Sequence, residues 1–332
     1  MYSIGAMGAA TLAEVAPGEW DAVLERAGVT DAYYGRGYAE ASALLGRGEP
    51  VLLRQAGAGG EVLFPVLVRD DPVDAVTPYG YGGPLCAGSE PPSAFAPAYA
   101  EWCAARGVLS TFAVFHPLLP TAREGFRTSA LGGTVAWRLE GDLLAGMHKH
   151  HRRLARRATG SGLVATAESE PASLGGFVDV YEESMRRADA DPFYFFGADY
   201  WDALLAGVPL VRVDVRDGDE LVAGVLGMGQ PPFLHYHLGG GTDAGRRAGG
   251  SHLALLALAE WGREHGYEVL HLGGGVGGRA DSLLEFKLRF APGGLVPAAI
   301  GKAVHDEPAY LARAGAASVD WDAFFPAYRA PR

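Results

Sequence analysis

The 332-residue chain reads as an α/β (α+β) protein made of two β-rich units of similar order. Three observations predict this. Strand-like and helix-like patterns alternate in the same sequence through both halves, and no long linker separates the halves. An apolar content of 48%, with 14 Phe, 14 Tyr and 6 Trp, is enough to fill two cores. The length corresponds to about two ordinary domains. The spacing places a first unit at 1–140 and a second at 141–297. The aromatic tail 298–332, with Trp321, Phe324, Phe325 and Tyr328, is expected to pack back on the first.

In the first half, GEWDAVLERAG (18–28) and residues 37–46 carry helical periodicity. PVLLRQAG and EVLFPVLVRDD are apolar strands joined by the Gly-rich turn at 56–60. The segment Tyr79-Gly80-Tyr81-Gly82-Gly83-Pro84 has too many glycines for helix or central strand and reads as a loop that allows close backbone approach. AFAPAYAEWCAAR (94–106) is helical, LSTFAVF (109–115) and TVAWRLE (134–140) are strands. The second half continues with strand 163–168, helix 173–188 bearing Tyr181 and Arg187, and helix 197–206. Strands PLVRVDVR, ELVAGVLGMG and PFLHYHLGG follow, then a Gly/Arg loop, helix 251–265, strand EVLHLGG and helix 281–290.

Composition excludes several classes. Cys86 and Cys103 are the only cysteines, too few for a disulfide framework, and no Cys/His cluster has zinc spacing, so no metal is expected. His235 and His237 share a strand face without a visible third ligand and read as hydrogen-bonded strand histidines. The 48 glycines follow no fixed period. No 18-residue apolar run is present, and the first twenty residues lack a basic region before their apolar stretch, so neither a membrane span nor a signal peptide is expected. The expected compartment is the cytoplasm. Oligomeric state leaves no trace in the sequence.

Charge is distributed unevenly. The chain has 28 Lys+Arg against 39 Asp+Glu, a net of −11. Yet His148 to Arg157 (HKHHRRLARR) holds Lys149, Arg152, Arg153, Arg156 and Arg157, and no acidic residue occurs between Asp142 and Glu168. Such an island in an acidic chain points to a polyanion: phosphates of a sugar nucleotide, of coenzyme A or of an RNA end. At helical spacing Lys149, Arg153 and Arg156 share a face.

A strand ending in Gly239-Gly240-Gly241 precedes Arg246-Arg247-Ala248-Gly249-Gly250-Ser251, which opens a helix. The stretch resembles the R-x-x-G-x-A loop with which GNAT-superfamily acetyltransferases cradle the coenzyme A pyrophosphate, with Ser251 in place of alanine. Glycines expose backbone N–H groups there, and a helix N-terminus adds partial positive charge.

Further on, Glu264-His265-Gly266-Tyr267, a strand ending in Leu272-Gly273-Gly274, and Leu283-Leu284-Glu285-Phe286-Lys287-Leu288-Arg289-Phe290 occur in that order. With the basic segment, the Tyr-Gly loop and the Tyr181 helix, this order resembles the Fem (FemA/FemB/FemX-type) aminoacyltransferases over nearly the whole chain. The resemblance implies two tandem GNAT-like domains, each a mixed, mainly antiparallel sheet flanked by helices. It implies that Phe286-Lys287 falls at the reaction centre, where a fixed ammonium would stabilise negative charge on a carbonyl oxygen. Lys149, Arg152, Arg153 and Arg156, with Tyr79, Tyr81, Tyr181 and Arg187, would bind substrate or phosphate. Gly240, Gly241 and Arg246 to Ser251 would hold the donor.

The implied activity is amide-bond formation, moving an aminoacyl group from the acceptor end of aminoacyl-tRNA to a small or nucleotide-linked amine, with no bound cofactor. The amine belongs to a peptidoglycan precursor or a natural-product intermediate. An acyl-CoA-dependent N-acyltransferase is the second reading. A non-catalytic protein that recognises a phosphorylated ligand is the third. No general base declares itself in the sequence.

Overall fold

The computed structural model describes residues 11–46, 48–90, 92 and 94–330. In chain order its strands and helices are β1 (Leu12–Val15), α1 (Trp20–Arg26), α2 (Arg36–Ala43), β2 (Glu49–Ala56), β3 (Gly59–Arg69), β4 (Asp74–Val76), β5 (Leu85–Glu90), α3 (Phe95–Arg106) and β6 (Ser110–Val114). Then come β7 (Arg127–Arg138), α4 (Leu143–Gly146), α5 (Lys149–Gly160), β8 (Val164–Ser169), α6 (Phe177–Arg187), α7 (Ala198–Gly207), β9 (Leu210–Asp217), β10 (Glu220–Gln230) and β11 (Phe233–Gly241). The chain ends with α8 (Asp243–Ala248), α9 (Gly250–Glu264), β12 (Val269–Gly274), α10 (Ser282–Leu288), β13 (Leu295–Val304) and α11 (Glu307–Ala314).

Two compact units result. The first comprises residues 1–29, 42–130 and 299–332, the second 30–41 and 131–298. The division falls at 130/131 instead of 140/141 because β7 is longer than the apolar run TVAWRLE and pairs with β12 through Thr134–Arg138. Residues 30–41 count with the second unit for two local reasons. Asp31 receives a hydrogen bond from the His235 ring at 2.8 Å, and Gly37 abuts Gly207 so closely that a Cβ would lie 1.9 Å from its carbonyl oxygen.

In the first unit the sheet order is β1-β2-β3-β4-β6-β13, with β5 also on β3. Pairing is antiparallel except for β4 with β6. α3 lays Phe95, Tyr99 and Cys103 on Val62, Phe64 and Val66 of β3. Four strands escape the sequence reading, three of them because they are short (β1, β4) or polar (β5). The fourth, β13, carries Pro297 and four alanine or glycine residues and resembles tail. The residues after β13 are fixed to this unit: Tyr328 Oη meets Ser110 Oγ at 2.7 Å, and Arg329 donates to Asp74 at 2.7 Å.

The second unit has sheet order β7-β12-β11-β10-β9-β8, antiparallel except for β11 with β12. α9 packs Ala254, Leu255, Leu258 and Ala259 against β9, β10 and β12, and α5 contributes Ala155 and Ala158 to the same core. Three antiparallel strands, a helix, then a parallel strand occur twice: β2-β3-β4-α3-β6 and β9-β10-β11-α9-β12. That repeated order is the duplication the sequence predicts, and each unit is a mixed, mainly antiparallel sheet flanked by helices.

Candidate active site

The parallel pair of the second unit holds for three positions only: Phe233 with Val269, Leu234 with Leu270 and His235 with His271. Beyond them β11 and β12 part. β11 stays on β10, but with one extra residue, because Leu226 faces Leu238 while Gly227 faces Tyr236. The bulge at His237 re-aims the side chains around it, a common device beside functional sites. Where the strands separate, a cleft of about 140 Å³ opens, lined by Tyr236, Gly239–Gly241, Val225, Ser184, Arg187, Arg246, Ser251, Leu255 and Phe286.

Lys287 reaches this gap from α10. The Asp281 carboxylate fixes the start of that helix by accepting from the N–H groups of Leu283 and Leu284 at 3.1 and 3.0 Å. The Lys287 side chain is buried, at 7% exposure, and its ammonium donates to the carbonyl of Gly274 on β12 at 2.7 Å. On its other side, 5.7 Å away, lies the centre of the Tyr236 ring on β11. The ammonium thus spans the two separated strands, and none of the ion pairs among the described residues includes it. Burial lowers its pKa from 10.5 to about 8, with a small opposing effect from Asp281. Tyr236 is pushed the other way, up to about 12, also by burial.

Phe286 lines the cleft and is held from behind. His151 of α5 donates Nε2–H to the Phe286 carbonyl at 2.9 Å, and the rings of His151, His252, Phe286 and Phe290 pack edge to face. Burial holds both histidines neutral, with pKa values of about 3 for His151 and about 4 for His252. His151 thereby ties the basic helix to the helix of the Phe-Lys pair.

The cations of that basic helix are not in the cleft. Its inward face is His151, Ala155 and Ala158, while Lys149, Arg153 and Arg156 are exposed. Arg152 is spent locally, donating to the carbonyls of Ala145 at 2.7 Å and Met147 at 3.4 Å. Arg157 donates to the Arg247 carbonyl, joining the helix to α8. The cleft takes its positive charge from Arg187 and Arg246 instead. Arg187 donates to the Gly241 carbonyl at 2.7 Å and lies 3.5 Å from Asp243, which also sits 3.8 Å from Arg246.

The expected donor loop needs correction. Asp243–Ala248 form the short helix α8, so Arg246 and Arg247 are helical, because the Thr242 hydroxyl caps Gly245 N–H and lets a turn form. Only Gly249 keeps loop geometry, at φ +95°, where its missing Cβ also admits the Leu154 carbonyl of α5. Gly250 starts α9 and is buried; Ser251, in its first turn, reaches the cleft. Tyr181 is a core residue, not a cleft residue. Its hydroxyl donates to the Tyr194 carbonyl at 2.8 Å, and its backbone presses on Gly240, where a Cβ would lie 2.6 Å from Tyr181 Cα.

Tyr79 and Tyr81 belong to the first unit. There the Tyr79 N–H donates to Ser42 Oγ at 3.3 Å, and the Tyr81 ring meets His116 edge to face. The strand histidines are hydrogen-bonded: His235 to Asp31 and His271, and His237 to the Tyr200 hydroxyl at 2.9 Å.

Sequence reasoning misses Tyr236, Ser184 and His151. Tyr236 sits in an ordinary-looking alternating strand, and only the bulge and the strand separation turn it into a cleft residue. Ser184 accepts from the Gly241 N–H at 2.7 Å and donates to its carbonyl at 3.0 Å, capping the edge of β11 as a paired strand would.

Residues 145–287, from the start of the basic region to Lys287, match the acetyltransferase (GNAT) domain family. No curated protein matches the sequence. Among solved structures, the fold is shared with FemX at 12% identity and a TM-score of 0.64, over 91% of this chain and 99% of that one. It is shared with the C-terminal domain of a putative lysylphosphatidylglycerol synthetase from Agrobacterium fabrum at 16% identity and a TM-score of 0.57, over 86% and 91%. A tandem GNAT protein from the clavulanic acid biosynthesis pathway matches at 12% identity and a TM-score of 0.52, over 89% and 98%. The likeness of fold extends across both units, as the resemblance to the Fem group implies. No helix among the described residues is long and apolar enough to cross a membrane.

Proposed function

We propose that the second unit transfers an aminoacyl group from the 3′ end of an aminoacyl-tRNA to an amine, in the cytoplasm, forming an amide without ATP. One observation carries the reading: the buried Lys287 ammonium fixed between separated parallel strands, beside a cleft lined by two arginines and no carboxylate. When an amine attacks an ester carbonyl, the oxygen gains negative charge. A cation already desolvated and held in place stabilises that charge without reorganising, which is worth a few kcal/mol. Arg187 and Arg246 at the mouth suit a donor phosphate, and the exposed cations of α5 provide a second, outer contact for a polyanion. The acceptor is a small or nucleotide-linked amine, from peptidoglycan or natural-product synthesis. No bound cofactor is needed, since the ester is already activated.

A specific feature favours a second donor. The N-terminus of α9 meets the cleft at Ser251, beside the glycine edge of β11, an arrangement suited to a pyrophosphate and an extended acyl carrier such as coenzyme A. A donor screen separates the two: labelled aminoacyl-tRNAs and acyl-CoAs offered to a panel of amines. Transfer abolished by ribonuclease supports the tRNA donor, and transfer only from acyl-CoA replaces it with the second. Product from neither donor, with phosphorylated ligands still bound, would turn the protein into a binding module. Full turnover by Lys287→Ala with an accepted donor would remove the site assignment.

A further inference from the structure

The two sides of the gap around Lys287 differ in polarity. On the β11 side stand Arg187, Arg246 and Tyr236, whose hydroxyl lies over Gly239, where a Cβ would come within 2.6 Å of it. On the β12 side the chain leaves Gly274, whose carbonyl holds Lys287, and two residues later exposes Val276. Val276 is 43% exposed and Leu283 37%, and the two are not scattered surface residues. One carboxylate sets them side by side: Asp281 accepts from the Val276 N–H at 2.9 Å and from the Leu283 N–H at 3.1 Å. On α10, Leu283 precedes Phe286 by three residues and Lys287 by four, so it shares their side of the helix. Phe286 lines the cleft, and the exposed pair continues that apolar wall outward past the ammonium. The charged groups of this rim serve the loop itself. Arg279 donates to the Val276 carbonyl at 3.2 Å, and Asp281 also caps α10.

We infer that Val276 and Leu283 form the acceptor subsite, and that the amine it takes carries an uncharged, apolar body next to its nitrogen. The inference rests on the acyl-transfer reading above and narrows its acceptor from small or nucleotide-linked amines to small apolar ones. Two features support it. A donor phosphate is drawn to Arg187 and Arg246, which leaves the opposite, apolar rim to the nucleophile. A buried ammonium and an apolar rim both disfavour a second positive charge, so the subsite takes the amine in its neutral, nucleophilic form. A base in the cleft is then unnecessary, and none of the described residues lining it is a carboxylate.

The test uses the full chain, one accepted donor and straight-chain primary amines from ethylamine to hexylamine, whose basicity is nearly constant. Each methylene buried on the rim should raise kcat/KM about threefold. 6-Aminohexyl phosphate, the same chain ending in a phosphate, should be used less well than hexylamine. In the double variant Val276→Ser/Leu283→Ser the series should flatten to less than about 1.5-fold per methylene, because the added carbons no longer meet an apolar surface. Transfer to ethylamine reports that this variant is folded, and if it misfolds the wild-type series decides alone. A flat wild-type series, or a preference for the aminohexyl phosphate, would overturn the apolar subsite. An unaltered slope in the double variant would overturn its assignment to Val276 and Leu283. A wild-type protein that transfers to no amine from any donor would instead defeat the acyl-transfer reading.

Discussion

The same structural junction is sealed in one unit and open in the other. In both, a parallel strand pair follows a helix, β4 with β6 and β11 with β12, and pairing ends after two or three residues. In the first unit the chain leaving β4 continues beside β6 in the same direction, with Gly82 bridged in parallel to Phe115. Thr77 N–H donates to the Phe112 carbonyl, Gly82 N–H to Val114, and His116 N–H to Gly82, so the Tyr-Gly loop closes the gap with backbone hydrogen bonds. In the second unit β11 stays on β10 through its bulge, and side chains line the gap instead. A duplicated framework therefore offers two clefts, and the segment after the third strand decides which one survives.

A pair of lysines repeats the lesson. Lys287 and Lys302 are equally buried, at 7% exposure, and each faces an aromatic ring and a carbonyl. Lys302 donates to two carbonyls of the tail, Trp321 at 2.5 Å and Ala323 at 3.1 Å, and so clamps the C-terminal segment onto the first unit. Lys287 has one carbonyl, and the Tyr236 ring on its other side lines the cleft. The largest expected difference follows. Lys287→Met should reduce kcat by about 10²–10³ with thermal stability nearly unchanged. Lys302→Met should leave kcat intact and cost about 1–3 kcal/mol in denaturant unfolding, since carbonyls lose their donor. Reversed outcomes would mean that partner geometry does not separate a functional ammonium from a structural one.

The glycines of the two junctions give the next contrast. Gly83 has φ +90°, and a Cβ there would lie 2.7 Å from the Phe115 ring that the sealing loop covers. Gly83→Ala should cost about 1–3 kcal/mol of stability by strain and clash, with kcat unchanged in the folded fraction. Gly239→Ala should act the opposite way, lowering kcat by displacing Tyr236 while unfolding near the wild-type denaturant midpoint.

The duplication was legible in the sequence because strands such as EVLFPVLVRDD and ELVAGVLGMG announce themselves by composition. Lys287 was legible only through resemblance, since a lysine on a seven-residue helix says nothing of the glycine carbonyl that binds it. The basic helix was visible as charge, but its inward face is a histidine and two alanines, too weak an apolar stripe to orient it. Arg246 and Arg247 looked like loop because glycines surround them, and a threonine cap made them helix. Tyr236 was hidden because separation of two strands is a tertiary event.

A smaller effect is expected from pH. Burial lowers Lys287 to about 8, so between 8 and 10.5 the unfolded chain holds a proton that the folded chain has released. Its contribution to stability therefore improves as pH rises through that window, while the ammonium needed for charge stabilisation is lost. The rate should fall above about pH 8 as thermal stability holds or increases. In Lys287→Arg, which stays charged, that limb should vanish even though the absolute rate drops. A limb unchanged in Lys287→Arg would assign it to another group.

The smallest effect compares the cleft with the outer face of the basic helix. Arg153 and Arg156 are exposed and join no ion pair among the described residues, so their replacement by alanine should leave stability within about 0.5 kcal/mol. Neither side chain lines the cleft, and kcat at saturating donor should change little. Their role is long-range attraction of a polyanion, which is screened by salt. For a single-stranded tRNA end the double variant should weaken binding a few-fold at low salt and flatten the slope of log K against log salt by about 1.4. Arg187→Ala, inside the cleft, should weaken donor binding at all salt concentrations. If the double variant instead abolished turnover at high salt, the helix would be part of the reaction site, and its charges would act at short range.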